Sequence, residues 1–308
     1  MFPIRQTARV APVLATLLAV AACSSSDSTA PDATVAMTQV EANAAADIII
    51  NDLADQSEGA TATTNSATFF YTAPTDVAFS GAGAPWWAGC RPAPARTVAG
   101  STVTFVFTNC VSARLAPPEK ITRNGTVAIT AEAGLRRIVF TGFAKEWERI
   151  SFRTGQVETL TETKDGTRQV TRDDGTVLTR AIYGATTADA FRTVWAAEGA
   201  TGTHLKRWNA IFTADVPQSI VRDRELPAGK YNITGSSEWT RTRGDLERSW
   251  SFQVQTGADG VHYNPACAAA GPNFDSGTVT VVATNRAGVV TTLVITFTGC
   301  GQYTTTRS

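Results

Sequence analysis

The residues of this chain with the clearest chemistry are its five cysteines. One of them, Cys23, directly follows an apolar run near the N-terminus, while Cys90, Cys110, Cys267 and Cys300 lie in the body of the chain. An odd number of cysteines cannot all pair, so we expect one thiol to act as a nucleophile and four to form disulfides. Zinc would require two-residue spacings or histidine partners, and the four cysteines have neither.

The residues before Cys23 have the layout of a cleavable export signal. Arg5 and Arg9 form a basic start, and residues 10–22 form an apolar run. This run is too short to remain in a bilayer as a spanning helix. The sequence therefore predicts an exported protein.

The residues at the expected cleavage point are more specific. The string Val20-Ala21-Ala22-Cys23 resembles the bacterial lipobox, in which one branched apolar residue and two small residues precede the cysteine that receives diacylglycerol. The resemblance is to bacterial lipoproteins in general, is confined to the first 23 residues, and implies localisation without a reaction. It implies that residues 1–22 are a lipoprotein signal peptide and that lipidated Cys23 anchors the mature chain to a membrane.

The stretch after the lipidation site, residues 23–36, is predicted to be a disordered tether. It is small, polar and proline-bearing, with nothing able to form a core. Ser24 occupies the position at which an aspartate would favour retention in the inner membrane. We therefore expect a cell-envelope location, and the outer membrane where the cell has two membranes.

A helix is predicted directly after the tether. Thr38 and Glu41 have the spacing of a capping box, in which each side chain bonds the backbone N–H of the other residue. Behind them, apolar residues recur at helical intervals, at positions 42, 45, 46, 49, 50 and 53. This pattern predicts an amphipathic helix that packs on the folded body.

The body of the chain is predicted to be mainly β. From residue 68 onward, Thr, Val and aromatic residues alternate with period two. Four dipeptides typical of tight hairpin turns separate such runs: Asn124-Gly125, Asp165-Gly166, Asp174-Gly175 and Asp259-Gly260. Short turns join antiparallel neighbours, so we expect an antiparallel sheet meander, as a sandwich or one large curved sheet, with the N-terminal helix.

The strands and one further helix are assigned as follows. Strands are expected near 68–73, 102–109, 125–131, 136–143, 147–153, 156–163, 167–172, 175–183, 205–215, 230–241, 246–254, 278–284 and 293–299. The segment Thr187–Glu198 departs from the alternation, because Phe191, Val194 and Trp195 have helical spacing behind a Thr-Ala-Asp opening. We expect a short helix there.

An internal repeat indicates that the body is built from two related halves. Residues 103–110 (VTFVFTNC) align without a gap with residues 293–300 (LVITFTGC), and each copy has its own upstream cysteine. We expect residues 37–308 to form one large domain or two half-repeats, near 60–180 and 200–303.

The repeat also selects the cysteine partners. Four cysteines allow three connectivities, and the repeat favours Cys90–Cys110 and Cys267–Cys300. Each bridge would close a loop worth on the order of 3 kcal/mol in the chain-entropy picture.

The titratable residues form no recognisable catalytic motif. The two histidines, His204 and His262, stand apart from any nucleophile or ligand cluster and are expected in surface loops. Asp173-Asp174-Gly175 lacks the alternating acidic ligands of a calcium loop and fits a hairpin turn. The sequence therefore predicts no catalytic residue, no metal and no cofactor.

Carboxylates are the remaining acid/base candidates. Glu146, Glu148, Glu158 and Glu162 could supply a pair of the glycosidase type, although nothing raises one pair above another. Glu158 and Glu162 share one face of a strand and are expected to be solvated.

The charge balance argues against nucleic acid as a partner. Lys and Arg number 27, as do Asp and Glu, and loss of Arg5 and Arg9 with the signal leaves a net charge of about −2. No strong positive field is expected to attract a polyanion. The arginines lie among acidic neighbours along the strands, as at 241–248, and are expected on a solvated face.

Aromatic residues provide the last functional lead. Trp86 and Trp87 are adjacent and lie just before Cys90, where they either pack in the core or form a rigid platform for a ligand. We favour a binding or structural lipoprotein over an enzyme, with a glycan, a hydrophobic ligand or an envelope protein as the kinds of partner besides the membrane. The alternatives are a carboxylate-dependent hydrolase of cell-envelope polymers, and a carrier in which a helix over a curved sheet encloses a hydrophobic ligand.

Overall fold

The structure, a computed structural model, describes most of the body of the chain. The described ranges are 36–43, 45–47, 49–50, 90–115, 118–150, 157–172, 176–197, 199–216, 226–269 and 273–308. The predicted signal peptide, the tether up to residue 35, the strand expected near 68–73 and the segment Asp173–Gly175 lie outside them.

One helix, thirteen strands and a single 3₁₀ helix make up the described residues. Helix α1 begins at residue 39 and is described to residue 50 except at 44 and 48. The strands are β1 (Ala95–Ala99), β2 (Thr102–Leu115), β3 (Pro118–Glu132), β4 (Leu135–Ile150), β5 (Val157–Arg172), β6 (Val177–Tyr183), β7 (Phe191–Ala197), β8 (Ala200–Ala214), β9 (Gly229–Arg243), β10 (Leu246–Tyr263), β11 (Phe274–Asn285), β12 (Val290–Gly299) and β13 (Gln302–Arg307). The 3₁₀ helix is Pro265–Ala269. The protein is therefore mainly β with an N-terminal helix, as predicted.

All thirteen strands belong to one hydrogen-bonded sheet in which every pairing is antiparallel. Strands follow one another in space as they do in sequence, with β1 and β13 at the two ends. Strands β6 and β7 both pair with β5 on one side and β8 on the other, so they lie end to end in one position. The predicted meander is thus one large sheet.

Three of the predicted hairpin glycines lie inside strands instead. Gly260 lies within a β-bulge of β10, and Gly125 and Gly166 lie opposite β-bulges of the neighbouring strands. Gly125, Gly166 and Gly260 have φ angles of +97°, +127° and +71°, and the pairing register shifts beside each of them. A Cβ at Gly277 would collide with the backbone oxygen of Gly260 on the next strand. The turn prediction is wrong at these three sites because a glycine at or opposite a β-bulge can have the same positive φ as a glycine in a tight turn.

The segment predicted to be a helix at Thr187–Glu198 contains the strand β7. Phe191 and Trp195 point to the same face of the sheet, and pairs with both β5 and β8 satisfy the backbone of this strand. The helix prediction is wrong because strand pairing on both sides outweighs local residue spacing.

One face of the sheet, which we call the inner face, carries the core. Its buried side chains include Phe105 on β2, Phe212 on β8 and Ile295 on β12. Two apolar clusters lie on it. The first extends over β8–β12 and α1, and the second, around Phe105 and Phe143, extends over β2–β4.

Helix α1 packs on the first apolar cluster and is bonded to β13. The predicted capping box is present, since Thr38 N donates to Glu41 Oε2 at 2.9 Å and Glu41 N donates to Thr38 Oγ1 at 3.3 Å. The Tyr303 hydroxyl donates to Asp47, and the Arg307 guanidinium donates to the Met37 carbonyl at 2.6 Å. The apolar side of the helix is buried at positions 42, 45, 46, 49 and 50.

The cysteines lie in the pairs that the repeat indicated. The Cα atoms of Cys90 and Cys110 are 5.2 Å apart, and those of Cys267 and Cys300 are 5.0 Å apart, so both pairs are at disulfide distance. Cys110 lies on β2, and Cys300 directly follows β12. Each pair therefore lies beside the strand next to one end of the sheet.

The two copies of the repeat also share a cross-strand contact. Phe107 on β2 lies opposite Gly125, and Phe297 on β12 lies opposite Gly277. Both glycines have positive φ, +97° and +103°. An aromatic residue thus lies opposite each of these positive-φ glycines, which is a recognised way to stabilise glycine within a sheet.

Candidate functional site

The predicted site residues fall only partly within the described structure. Cys23, Trp86 and Trp87 lie outside it, so the lipid anchor and the aromatic platform stay predictions. The polar groups that the structure does bring together include one histidine between two carboxylates and a group of arginines, neither of which the sequence reasoning singled out.

Both histidines were expected in surface loops, and that expectation is wrong. His204 lies on β8 and His262 on β10, and each is partly buried. The Nε2 atom of His204 lies 3.0 Å from Ser237 Oγ on β9. The alternating apolar residues around each histidine predict a strand position, whereas the absence of a known motif near them says nothing about their location.

His262 lies between two carboxylates. Its Nδ1 is 2.7 Å from Asp275 Oδ1, and its Nε2 is 2.7 Å from Asp215 Oδ2. Burial acts to lower the pKa of His262, but the hydrogen bonds to both carboxylates outweigh it and raise that pKa. Asp275 also accepts a hydrogen bond from Asn264 Nδ2 at 2.7 Å.

This arrangement restricts what His262 can do chemically. An ionised carboxylate only accepts hydrogen bonds, so both ring nitrogens must carry protons for both bonds to form. The imidazolium then has no free lone pair and cannot act as a general base. Its role is to tie the residue after β8, Asp215, to strands β10 and β11.

Two of the four candidate glutamates, Glu148 and Glu162, lie beside lysines. Glu148 lies 2.9 Å from Lys120 Nζ, and hydrogen bonding to Lys120 lowers the pKa of this carboxyl, with a smaller contribution from Glu146. A general acid needs a raised pKa. Glu162 pairs with Lys164 at 3.1 Å and its side chain is only 12% exposed, so the expectation that it is solvated is wrong.

Three arginines on neighbouring strands of the inner face form what we call the arginine cluster: Arg136 on β4, Arg168 on β5 and Arg180 on β6. Arg136 and Arg180 are the two cross-strand neighbours of Val170, and Arg168 lies two residues before Val170. Diagonal neighbours on one sheet face are separated by about 7–8 Å. Arg136 and Arg180 are each 5% exposed, so the expected solvated arginine face is wrong here.

The electrostatics place Arg180 close to two tyrosines. Burial lowers the pKa of Arg180, and Tyr231 and Tyr263 act in the opposite direction. Burial raises the pKa of Tyr231 to about 12, with Arg180 opposing. Because a guanidinium keeps its proton in proteins, this part of the core carries positive charge at neutral pH.

Four buried polar atoms near this cluster lack a hydrogen-bond partner among the described residues. They are Arg168 Nε, Arg180 Nε, Trp208 Nε1 and the Tyr231 hydroxyl oxygen. Arg168 does make a ring contact, its guanidinium carbon lying 5.2 Å from the centroid of Phe191. The guanidinium and indole nitrogens only donate, and the phenol can donate as well. This set is suited to an acceptor-rich group, above all an anion.

The sequence did contain a signal for this cluster. In β6 the residues Leu178, Arg180 and Ile182 alternate with Thr179 and Ala181, so Arg180 has the parity of the apolar side. The period-two alternation of side chains along a strand is therefore sufficient to predict that Arg180 points to the inner face. The signal was missed because arginine was assigned to the solvent side by residue type.

More cations line the same face towards the other end of the strands. These are Arg123, Lys145, Lys164, Lys206 and Arg241. Lys145 Nζ lies 5.4 Å from the Trp147 ring centroid, and burial together with nearby Lys164 lowers the pKa of Lys145 to about 8. Glu162 acts in the opposite direction. The inner face is therefore basic although the whole chain is nearly neutral.

The opposite, outer face has a polar groove of about 380 Å³. Its side chains come from four adjacent strands and include Arg207, Thr234, Ser236, Gln253, Gln255 and Thr280. Hydroxyl and amide groups both donate and accept hydrogen bonds, so the groove is suited to a neutral polar ligand such as a sugar.

Within the described ranges, no three His, Cys, Asp or Glu side chains are arranged to hold a metal ion, and no described helix is long and apolar enough to cross a membrane. Comparison with known protein families, with curated proteins and with solved structures finds no significant match.

Proposed function

We propose that the protein is an exported binding protein of the cell envelope, anchored through lipidated Cys23, which receives its ligand on the inner face of the sheet. The buried donors near Arg180, which have no acceptor among the described residues, are the observation that carries this proposal. The export signal and the lipobox resemblance support the location, and Ser24 favours the outer membrane where a cell has two.

A hydrophobic ligand suits the surroundings of these donors. Arg168 has Ile138 and Ile182 as cross-strand neighbours, and those two residues pack against different apolar clusters. A ligand held at the arginine cluster would therefore meet apolar side chains on both sides. This favours a carrier of a hydrophobic molecule within the broader class of binding lipoproteins.

The titratable groups support binding rather than hydrolysis. Both ring nitrogens of His262 are bonded to carboxylates, and the pKa of Glu148 is lowered rather than raised. With both nitrogens engaged, His262 has no lone pair for a general base, and a lowered pKa makes Glu148 a poorer general acid. Hydrolysis of cell-envelope polymers remains the enzymatic alternative, and a screen against envelope glycans and esters tests it. Turnover that disappears in Glu162→Gln, at unchanged melting temperature, would contradict the binding proposal.

The outer groove supports a second candidate, a glycan-binding protein. The hydroxyl and amide groups along β9–β11 favour it, with Arg207 at one side. Binding of an envelope oligosaccharide that is weakened by Arg207→Met and unaffected by Arg180→Met would assign ligand binding to the outer face.

The binding proposal is tested with the mature chain carrying Cys23→Ser, exported through a signal that adds no lipid. The probe is the neutral dye N-phenyl-1-naphthylamine, whose fluorescence rises in apolar surroundings. We expect saturable binding that Ala210→Leu weakens several-fold, because Ala210 is the cross-strand neighbour of Arg180 on β8. Asn209→Leu, on the outer face of the same strand, is the matched control.

Two results would contradict this proposal. One is the absence of saturable dye binding by the folded wild-type chain. The other is unchanged dye affinity in Ala210→Leu. Circular dichroism and the melting curve must show that this variant is folded, because overpacking of a core costs about 1–3 kcal/mol.

The lipid anchor has its own test. Mass spectrometry of the mature N-terminus should find diacylglycerol on Cys23 and no residue before it. An unmodified Cys23, or cleavage elsewhere, would contradict the membrane part of the proposal.

The tryptophan pair at Trp86 and Trp87 is proposed to contribute ligand contacts. If it forms an aromatic platform, replacing both residues with Ala should weaken dye binding with little effect on stability. If the pair is core, the same change should lower the unfolding free energy by several kcal/mol, roughly the cost of a lost buried aromatic residue.

A further inference from the structure

We propose that the ligand of the inner face is an anionic amphiphile, and that Arg180 binds its acidic head group. This inference rests on the proposed binding function and names the chemical class of the ligand. It is drawn from the position of Arg180, from the other donors around it, and from the aliphatic residues between the arginines.

The burial of Arg180 is the first part of the argument. Its side chain projects from β6 into the core, the residue is 5% exposed, and its Nε has no acceptor among the described residues. Its cross-strand neighbours are Val170 and Ala210, neither of which carries a polar side chain. A buried cation without a counter-charge is unfavourable, so a function that supplies the anion explains why arginine stands there.

The neighbouring donors make the site selective for an acid. Tyr231 is 1% exposed and Trp208 is 3% exposed, and the hydroxyl and the indole nitrogen lack partners among the described residues. Arg168 adds a second guanidinium with an unpaired Nε on the adjacent strand. An oxyanion such as a carboxylate or phosphate presents several acceptor lone pairs and can bind two guanidinium groups at once.

The aliphatic residues around the arginines indicate an attached apolar chain. Val170 lies between Arg136 and Arg180, and Arg168 lies between Ile138 and Ile182, so charged and aliphatic side chains alternate in two directions. A free inorganic anion has no apolar part to pack against the aliphatic side chains. An amphiphile would place its head group on the arginines and its chain along the apolar clusters.

The test uses the mature Cys23→Ser chain and four probes below their micellar concentrations. These are dodecanoate, dodecyl phosphate, dodecanol and inorganic phosphate, measured by displacement of the dye and by calorimetry. We expect the two acids to bind at least tenfold more tightly than dodecanol, and inorganic phosphate to bind more weakly than dodecyl phosphate.

Two variants separate the inner face from the outer face. Arg180→Met keeps an unbranched aliphatic stem and removes the guanidinium charge, so it should abolish the preference for acids while affinity for dodecanol stays within about twofold. Its melting temperature should stay the same or rise, because a buried unpaired charge is removed. Arg192→Met, on the exposed side of β7, should leave the binding of all four probes unchanged.

Each contrary outcome has a distinct meaning. If dodecanol binds as well as the acids, or if Arg180→Met keeps the preference for acids, the assignment of an anionic amphiphile is wrong while the binding function stands. If inorganic phosphate binds as tightly as dodecyl phosphate, the site takes a free anion and the amphiphile is wrong. If neither the dye nor any of the probes binds, the proposed function itself is wrong.

Discussion

Removal of a single hydroxyl should have opposite effects at two tyrosines of the inner face. In Tyr231→Phe the lost hydroxyl is buried and has no partner among the described residues, whereas in Tyr303→Phe it is the donor to the Asp47 carboxylate. Ring contacts are kept in both variants, such as the 4.9 Å centroid distance between Tyr231 and Phe212. The comparison therefore isolates the hydroxyl.

The expected magnitudes follow from the two environments. An unpaired buried polar group costs about 1–3 kcal/mol, so Tyr231→Phe should leave the unfolding free energy unchanged or raise it by up to about 1–2 kcal/mol. A hydrogen bond to a charged group is worth about 1.5–3 kcal/mol, and Tyr303→Phe should lose about 1.5 kcal/mol because Asp47 stays partly exposed. The two variants should thus differ by about 1.5–3.5 kcal/mol.

Equilibrium urea unfolding at pH 7, with the disulfides intact and without ligand, measures both values under one set of conditions. A loss of more than about 1 kcal/mol in Tyr231→Phe would refute the reasoning, because it would mean that this hydroxyl has a partner in the free protein. The head-group site would then consist of Arg180 without the Tyr231 hydroxyl, and binding of the anionic probes should depend on Arg180 alone. If Tyr231→Phe is as stable as wild type and binds dodecanoate more weakly, the hydroxyl belongs to the head-group site.

Three further outcomes are expected. Gly277→Ala should destabilise the fold by several kcal/mol, because the new Cβ would collide with the backbone of the adjacent strand. Gly288→Ala is the control, because open space surrounds Gly288 and the change should cost only about 1 kcal/mol of φ strain. Urea unfolding measures both variants. His262→Gln should cost more at pH 6 than at pH 9, because a raised pKa gives stability that is complete below the ordinary value of about 6.5 and is lost as pH rises through the raised value. A pH-independent difference would contradict that mechanism. Replacing Cys267 and Cys300 with Ala should lower the unfolding free energy by about 3 kcal/mol, and non-reducing peptide mapping should recover these two residues as one linked pair.

Local patterns were sufficient to predict the class of fold. Alternation of period two predicted antiparallel strands, and the spacing of Thr38 and Glu41 predicted a capping box that the structure contains. Both features depend on residues close together in sequence, where side-chain direction follows from backbone geometry alone. The repeat also indicated the cysteine pairs, because two similar strands next to the ends of one sheet place their cysteines similarly.

The positions of Gly125 and Gly260 show where local reasoning stopped. Each glycine has the positive φ that its dipeptide predicted, but the chain continues along the same strand instead of reversing. A glycine in a tight turn and a glycine at or opposite a β-bulge can share the same positive φ, and only the pairing of the neighbouring strands decides between them. Strand pairing likewise overrides local residue spacing at Thr187–Glu198, where a helix was predicted. This segment contains β7, which pairs with β5 on one side and β8 on the other.

The sequence by itself determined that this chain alternates as a β protein and holds arginines at fixed parity along its strands, and it predicts an export signal. Only the tertiary structure decided that Arg136, Arg168 and Arg180 meet on one buried face, and that Asp215 and Asp275 enclose His262. The physical reason is that odd or even position along a strand fixes the face of the sheet on which a residue lies. It does not fix which face is buried by other parts of the chain. Burial and charge proximity arise from contacts between residues far apart in the chain, as in the 47 positions that separate Asp215 from His262.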